Sequence, residues 1–222
     1  MRTIIYVDGF NLYFRMLKPN PQFKWLNPHQ LAREILIATN QITKVRYFTA
    51  RVSGRLDPQA PGRQQIYLDA LANVPEIQMH FGKFLATKAW AGLVHPNLDP
   101  TKPRAKPPFL PWPQVVRIFR TDEKGSDVNL ATYLLIDSFR NNFDVAAVVT
   151  NDTDLVEPIR FVTQDMGKVV GLLTPVPQPA HALAKAASFV HHIREKHLRA
   201  AQFPEPLTLA SGRTIHKPAS WA

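Results

Sequence analysis

The chain has 222 residues, of which 45% are hydrophobic, and this length and composition support one large domain with its own core. It contains no cysteine, which excludes disulfides, thiolate zinc sites and cysteine nucleophiles and leaves carboxylate, imidazole and amide groups as metal ligands. The formal net charge of +10 favours a polyanionic partner over a small neutral substrate.

The charge is unevenly distributed along the chain. Residues 1–120 carry 17 basic and 6 acidic side chains, whereas residues 121–222 carry 10 and 11. No apolar run approaches the roughly 20 residues that cross a bilayer, and the first residues lead into a strand pattern without a small-residue cleavage site. We therefore expect a cytoplasmic protein with no membrane partner.

Strand-like runs alternate with helix-like runs in the first half, which is typical of parallel strands joined by crossover helices. The predicted elements, in chain order, are a strand over 3–7, a helix over 29–40 capped by Asn27, a strand over 44–50, a helix over 61–73 and an extended segment over 76–84.

Residues 90–113 break this pattern because their many prolines remove the backbone donors that a central strand or a helix needs. We expect an irregular insertion here. It carries Lys102, Arg104 and Lys106 among aromatic residues, a mixture suited to holding phosphates and stacking bases. A proline-rich excursion with merely solvated basic residues is the open alternative.

The second half resumes the alternation. Its predicted elements are a strand over 114–119, a helix over 126–141 capped by Ser126, a strand over 145–150, a helix opened by Asp154 and Glu157 as a capping pair, a strand over 168–173, a helix over 179–187 and a short apolar step at 189–190. The proline-containing tail from Phe203 onward is expected to be poorly ordered or draped on the domain. The chain therefore belongs to the α/β class.

Two predicted strands, more than a hundred residues apart, run directly into acidic residues. The first ends in Asp8, with Asn11 following, and the second ends in Asp152 and Asp154. Asp127 lies at the start of a helix that follows another predicted strand. Since the carboxyl ends of parallel strands meet at one edge of a sheet, we expect these acids to converge.

Three converging carboxylates need a cation or a basic cluster beside them, because without positive charge they would repel and raise each other's pKa. Oxygen ligands suit Mg²⁺ or Mn²⁺, so the pattern predicts a divalent-metal site. Each acid also has a structural interpretation: Asp8 and Asp154 as helix caps, Asp127 at a helix dipole and Asp152 in a turn. Asp137 lies about 15 Å beyond Asp127 by helical rise and is an indirect or structural candidate.

Three sequence blocks resemble the signature blocks of NYN domains, the PIN-like nuclease group that includes the bacterial LabA-type proteins. These are 6–11 (YVDGFN), 124–131 (KGSDVNLA) and 149–155 (VTNDTDL), and they occur in register. The resemblance implies a three-layer α/β/α, PIN-like domain with a mainly parallel central sheet. On this basis residues 1–200 form a single nuclease domain and residues 201–222 form a C-terminal tail.

The same resemblance implies an endoribonuclease that depends on Mg²⁺ or Mn²⁺ and leaves 5′-phosphate and 3′-hydroxyl ends. Asp8, Asp127 and Asp152 would hold the metal, Asp154 would adjoin it, and Asn11 would assist at the phosphate. RNA, single-stranded or structured, is the implied partner. PIN-like domains often self-associate, so the resemblance also leaves a homodimer open.

Further basic residues are candidates for RNA contacts. Arg120 and Lys124, just before Asp127 in the sequence, could hold a phosphate, and Arg51, Arg55 and Arg63 after the second strand could contact the backbone. Ordinary solvated surface is the alternative for each.

Two departures from the NYN pattern favour another function. Tyr133 stands where many relatives have a further acid, and Thr150 and Asn151 stand where many have a Ser-Gly pair. The main alternative is therefore a catalytically weak RNA-binding or scaffold module of the same fold. A metal-dependent phosphatase, with 90–113 as a lid, is a second enzymatic alternative.

Overall fold

The structure, a computed structural model, describes residues 1–55, 57–93 and 113–221. In chain order, its first half contains β1 (Arg2–Asp8), α1 (Gly9–Leu12), α2 (Pro28–Ile35), β2 (Gln41–Thr49), α3 (Ala60–Ala72), β3 (Ile77–Phe81) and β4 (Lys83–Gly92). Its second half contains β5 (Val115–Lys124), α4 (Ser126–Phe139), β6 (Val145–Val149), α5 (Val156–Arg160), β7 (Val169–Thr174), α6 (His181–Ala186), β8 (Phe189–His192), α7 (Glu195–Ala200), β9 (Leu207–Thr208) and β10 (Thr214–Ile215).

The central sheet has six strands in the order β3-β2-β1-β6-β7-β8, and every neighbouring pair is parallel. Successive strands are added outward from β1 on one side and from β6 on the other. The boundary between β1 and β6 is therefore the topological switch point, where crevices form at the carboxyl edge of such sheets.

Helices cover both faces of this sheet, and β1 shows how. Its side chains alternate, so that Ile5 and Val7 pack with residues of α2, α3 and α7, whereas Ile4 and Tyr6 pack with residues of α4, α5 and α6. Burial on both faces explains why the strands read as continuous apolar runs. The predicted α/β fold with a three-layer α/β/α arrangement is confirmed.

Most predicted elements are present, with shifted ends. Asn27 caps α2 as expected, since its Oδ1 accepts hydrogen bonds from the backbone amides of His29 and Gln30 at 3.0 and 3.2 Å. The helix stops at Ile35 rather than continuing to residue 40, because Leu36 already has an extended backbone (φ −84°, ψ 151°) that directs the chain towards β2.

The extended segment predicted over 76–84 is in fact two strands. β3 joins the edge of the sheet, and β4 leaves it to pair with β5 in an antiparallel ribbon outside the sheet. Residues 90–92, expected in the irregular insertion, belong to β4, and the strand predicted over 114–119 continues to Lys124. The basic candidates Lys102, Arg104 and Lys106 lie outside the described residues.

The C-terminal tail packs on the domain, so of its two expected states the draped one is observed. Phe203 and Trp221 are buried, and the ring of Trp221 lies 6.4 Å from that of Trp25. The indole Nε1 of Trp25 also donates a hydrogen bond to the carbonyl of Pro204 at 3.0 Å. Among the described residues, no helix has the length and apolar character needed to cross a membrane.

Candidate metal centre

Three of the predicted carboxylates come together at the switch point of the sheet. Asp8 is the last residue of β1, and Asp152 follows the adjacent β6. Asp127 is in the first turn of α4. One carboxylate oxygen from each lies within 4.8 Å of the other two. Asp127 reaches this edge by an unexpected route, because α4 follows the ribbon strand β5 instead of a strand of the sheet.

Hydrogen bonds fix the orientation of the Asp8 carboxylate. Its Oδ1 accepts from the backbone amide of Asn11 at 2.9 Å, and its Oδ2 accepts from the Thr150 hydroxyl at 3.0 Å. The Thr150 oxygen in turn accepts from the backbone amide of Asp152 at 3.0 Å. Asp8 thus caps α1, as its structural interpretation requires, and each of its oxygens keeps a further lone pair for a ligand.

Gly9 is needed where β1 turns into α1. A Cβ at this position would lie 2.7 Å from the carbonyl oxygen of Phe48 and 2.9 Å from the ring of Tyr47. Any side chain would therefore push the start of α1 away from β2 and displace Asp8 with it. The Asp-Gly pair is a packing requirement at this edge of the sheet.

Asn11 connects the two strand-end loops. Its Oδ1 accepts a hydrogen bond from the backbone amide of Asn151 at 3.0 Å, and the Asn151 side chain accepts from the amide of Ala180 at 2.9 Å. Asn11 also lines the pocket around Asp8, Asp127 and Asp152, which we call the carboxylate pocket. The structure therefore gives Asn11 a positioning contact, and its predicted role at a phosphate stays a prediction.

Asp152 and Asp154 have different positions. Asp152 caps the short helix over 153–155, since its Oδ1 accepts from the amide of Asp154 at 3.1 Å. The predicted cap at Asp154 is therefore wrong, because the turn begins two residues earlier. Asp154 is exposed and lies outside the group of three carboxylates.

Sequence reasoning missed Glu123 and Arg15, which line the carboxylate pocket together with Phe10 and Phe14. Glu123 Oε1 accepts from the amide of Ser126 at 3.0 Å. It thereby caps α4 in place of Ser126, the predicted cap, which lies within the helix after Gly125 at a φ of 95°. Only the helical spacing of Arg15 from Asn11, four residues, signalled its position.

The electrostatics of this pocket are those of uncompensated acids. Burial raises the pKa of Asp8 to about 6, and the negative charges of Asp127 and Asp152 add to this against the hydrogen bonds from Asn11 and Thr150. Burial, followed by the charges of Asp152, Glu123 and Asp154, also raises the pKa of Asp127 to about 6. A bound cation would remove this penalty. Three hard oxygen donors fit Mg²⁺ or Mn²⁺.

Three of the predicted RNA-binding residues, Arg55, Arg120 and Lys124, contact or belong to the ribbon, whereas Arg51 contacts β3 and α3. The Arg55 guanidinium lies 5.1 Å from the ring of Phe119 in β5. Arg120 pairs with Asp122 at 2.8 Å, and Lys124 is exposed at the end of β5. Arg51 stacks on the ring of the last β3 residue at 5.1 Å.

Arg63 lies on α3, where it forms a salt bridge with Asp57 and lines a separate cavity. Whether any of the five binds RNA stays a prediction.

Asp137 belongs to a buried structural cluster. Arg46 donates to its two carboxylate oxygens at 2.6 and 2.9 Å, and the Tyr6 hydroxyl donates to it at 2.8 Å. Tyr133, the residue that departs from the NYN pattern, stacks here: its ring lies 4.1 Å from that of His80 and 4.4 Å from the Arg46 guanidinium. Tyr133 does not line the carboxylate pocket.

Comparison with known proteins gives one distant relative by sequence. The 6-hydroxy-3-succinoylpyridine 3-monooxygenase HspA of Pseudomonas putida is 27% identical over 245 residues, a match that covers 100% of this chain and 75% of the relative. This relative is an enzyme by its name. No protein-family model matches the chain.

A solved structure shares the fold. The crystal structure of VPA0982 from Vibrio parahaemolyticus, a protein of unknown function, superposes with a TM-score of 0.51 at 15% identity, covering 87% of this chain and 93% of that one. At this identity the likeness concerns the α/β/α architecture alone.

Proposed function

We propose that the chain is an NYN-type, PIN-like ribonuclease that hydrolyses RNA phosphodiester bonds with Mg²⁺ or Mn²⁺. The observation that carries this proposal is the convergence of Asp8, Asp127 and Asp152 at the switch point, with one oxygen of each within 4.8 Å of the others. Neutral hydrogen-bond donors surround Asp8, so its charge is left for a cation to compensate.

The residues of the pocket have separate tasks in this proposal. Asp8, Asp127 and Asp152 would hold the metal, which supplies Lewis acidity and a lowered pKa for water. Thr150 orients Asp8 and the start of the Asp152 loop through its hydroxyl. The Asn11 side chain holds the same loop by accepting a hydrogen bond from the backbone amide of Asn151. Because these contacts exist without substrate, Asp8 and the loop of Asp152 are already held in place before a substrate binds.

The basic surface supports a polyanionic substrate. Arg15 lies on the wall of the carboxylate pocket, where its guanidinium could hold a phosphate oxygen. The ribbon places cations against exposed aromatic rings, with Lys88 and Arg55 on Phe119 at 5.8 and 5.1 Å and Arg117 on Trp90 at 5.9 Å. This combination holds phosphates and stacks unpaired bases in proteins that bind single strands.

The test is cleavage of end-labelled single-stranded RNA by the full chain with Mg²⁺ or Mn²⁺. We expect products with 5′-phosphate and 3′-hydroxyl ends that disappear with EDTA and in Asp8→Asn. A matched control is Asp144→Asn. Asp144 lies just before β6, at the opposite edge of the sheet from Asp8, and pairs there with Arg2. Equal cleavage by Asp8→Asn and Asp144→Asn would contradict the proposal.

A catalytically weak RNA-binding or scaffold module is the alternative within the same fold. Its supporting observation is that Tyr133 stacks in the structural cluster and contributes no acid to the pocket. RNA binding without cleavage at saturating Mn²⁺ would favour this alternative.

A second enzymatic candidate is oxygenation of a small aromatic compound. The monooxygenase relative matches along the whole chain, and this observation alone favours it. The check is oxygen consumption with 6-hydroxy-3-succinoylpyridine and a two-electron reductant such as a reduced nicotinamide. Turnover of that compound with no RNA cleavage would replace the ribonuclease proposal.

A further inference from the structure

A second cavity adjoins the carboxylate pocket and shares two of its walls. It has a volume of about 390 Å³, and Phe10 and Phe14 line both it and the carboxylate pocket. This size falls in the range of small-molecule sites. The remaining walls come from α1 and the turn after it, β2, α3, the start of β4 and the C-terminal residues, and we call this cavity the ring pocket.

Aromatic rings dominate the walls of the ring pocket. Phe10 and Phe14 lie nearly parallel, with centroids 6.3 Å apart and planes at 23°, and Phe84 meets Phe10 edge-on at 5.5 Å. Another part of the wall is formed by Tyr67 and Trp221, which meet edge-on with centroids 6.0 Å apart. Faces and edges of rings in several orientations suit a flat aromatic ligand.

Positive charge lies at the same cavity. Lys24 and Arg63 both line it, and Arg63 is partly compensated by Asp57. Within the described residues, Lys24 has no carboxylate partner, and its Nζ lies 5.6 Å from the ring of Tyr13. Burial, together with the charges of Arg63 and Lys18, lowers the pKa of Lys24. An anionic group at this point would offset that repulsion.

The walls of the ring pocket are held by hydrogen bonds that do not involve a ligand. Gln64 donates to the carbonyl of Ala50 at 2.8 Å and accepts from the amide of Val52 at 2.9 Å, which fixes the loop after β2. The Tyr67 hydroxyl donates to the carbonyl of Leu26 at 2.8 Å. Since these polar groups are already paired, ring shape and charge are left to select the ligand.

We propose that the ring pocket binds a planar aromatic ring that carries an anionic group, with the ring against Phe10 and Phe14 and the anion at Lys24. A nucleoside monophosphate and an aromatic carboxylate share this chemistry. Because Phe10 and Phe14 also line the carboxylate pocket, the bound ring lies beside Asp8 and Asp127. This binding does not depend on phosphodiester hydrolysis, so it holds independently of the proposed function.

The experiment is a titration of the tryptophan fluorescence of the full chain in EDTA, to which Trp221 contributes from the wall of the ring pocket. The probes are adenosine 5′-monophosphate, pyridine-3-carboxylate and inorganic phosphate. Lys24→Ala removes the cation and Ala60→Phe fills the cavity from α3, whereas Lys196→Ala removes an exposed charge on α7 as the matched control. Thermal unfolding of each variant checks that it is folded.

We expect a saturable change with at least one ring compound, weakened about 10-fold in Lys24→Ala, weakened at least as much in Ala60→Phe and unchanged in Lys196→Ala. Saturation by the nucleotide alone identifies a base-binding site, and saturation by the carboxylate alone identifies a small-acid site. The proposal is overturned if neither ring compound saturates, if phosphate alone binds as tightly, or if the three variants bind equally.

The same titration in Asp8→Asn separates the two proposals. Ring binding that persists in this variant, alongside an absence of metal-dependent RNA cleavage by the unaltered chain, would remove the ribonuclease and leave the ring pocket. Cleavage without ring binding would do the reverse.

Discussion

Two buried carboxylates, Asp8 at the end of β1 and Asp137 on α4, have opposite surroundings. Asp8 and Asp137 are 3% and 1% exposed. Asp137 meets the Arg46 guanidinium through both oxygens and the Tyr6 hydroxyl through one. Asp8 accepts only from neutral donors and faces further acids. Burial raises the pKa of Asp8 to about 6. At Asp137 burial acts in the same direction, but hydrogen bonds from Arg46, Asn142 and Tyr6 outweigh it and lower the pKa.

The difference shows how a structural acid and a ligand-seeking acid are distinguished. Burial alone does not separate them, because both are nearly inaccessible. The counter-charge separates them: Asp137 is paired with Arg46, whereas Asp8 accepts only from neutral donors and faces Asp127 and Asp152. The following predictions test this contrast, beginning with the largest effect.

Under the proposed function, removing one carboxylate of the candidate metal centre should abolish most of the RNA cleavage. We expect Asp127→Asn to lower the rate of RNA cleavage by at least about 1,000-fold, equivalent to about 4 kcal/mol of transition-state stabilisation. The reason is that the cation loses one of its three charged ligands. Single-turnover cleavage with Mn²⁺ measures this, and a loss below about 10-fold would show that Asp127 is dispensable.

Breaking the structural cluster should instead cost stability. We expect Arg46→Met to lower the free energy of unfolding by about 3 to 5 kcal/mol, because Asp137 is left buried and charged. Urea denaturation measures it. Adding Asp137→Leu to Arg46→Met should recover part of the loss, since both charges are then absent. Mn²⁺ affinity should be unchanged in the double variant. A loss of Mn²⁺ affinity would show that the metal site depends on the Asp137 cluster.

Neutralising Asp8 should stabilise the metal-free protein. Its folded pKa, about 6, exceeds the ordinary 3.8, so its favourable contribution is complete below about pH 4 and is lost as the pH rises through 6. The metal-free chain should therefore gain stability on acidification from pH 8 to 5, by about 1.5 kcal/mol through Asp8, which is about half of the full effect. Asp8→Asn should be more stable than the unaltered chain at pH 8 and have a shallower slope, because Asp127, whose pKa is also raised to about 6, still titrates in this range.

Chemical denaturation in EDTA at several pH values measures this effect, and Asp144→Asn is the control. Asp144 is exposed and paired with Arg2, which lowers its pKa, so its replacement should not stabilise the chain at pH 8. If the free energy of unfolding depends on pH in the same way with and without Asp8, the charge of Asp8 is not uncompensated.

The ribbon should contribute a smaller, salt-dependent effect. Lys124→Ala should weaken RNA binding by about 1 kcal/mol or less and reduce the slope of log affinity against log salt by about 1, because one phosphate contact is lost. Arg140→Ala, at the opposite end of α4, is the matched control. Fluorescence anisotropy over a range of salt concentrations measures both. Identical slopes would place RNA away from the ribbon.

Local patterns in the sequence predicted the central sheet and the three converging acids, although Asp127 arrives after the ribbon strand β5 and not after a strand of the sheet. Asp8 and Asp152 each follow a buried apolar run, and both strands of the pair read correctly because a parallel strand covered on both faces has no polar alternation. The Asn27 cap was also predictable, because its partners, His29 and Gln30, lie only two and three residues further along the chain.

Features that depend on distant partners were not predictable in this way. β4 and β5 read as strands, but nothing local shows that they pair with each other outside the sheet. Glu123 becomes a cap only because Gly125 turns the chain back onto it. The prolines of the tail left open whether it is poorly ordered or draped on the domain, since burial of Trp221 depends on Trp25, almost two hundred residues away.

The most direct test of the account is Mn²⁺ binding to the metal-free chain, measured by the electron paramagnetic resonance signal of free Mn²⁺. We predict saturable binding that is lost in Asp8→Asn and in Asp127→Asn and retained in the Arg46→Met, Asp137→Leu double variant. Absence of saturable binding, or equal binding by all of these proteins, would contradict a cation site formed by Asp8, Asp127 and Asp152.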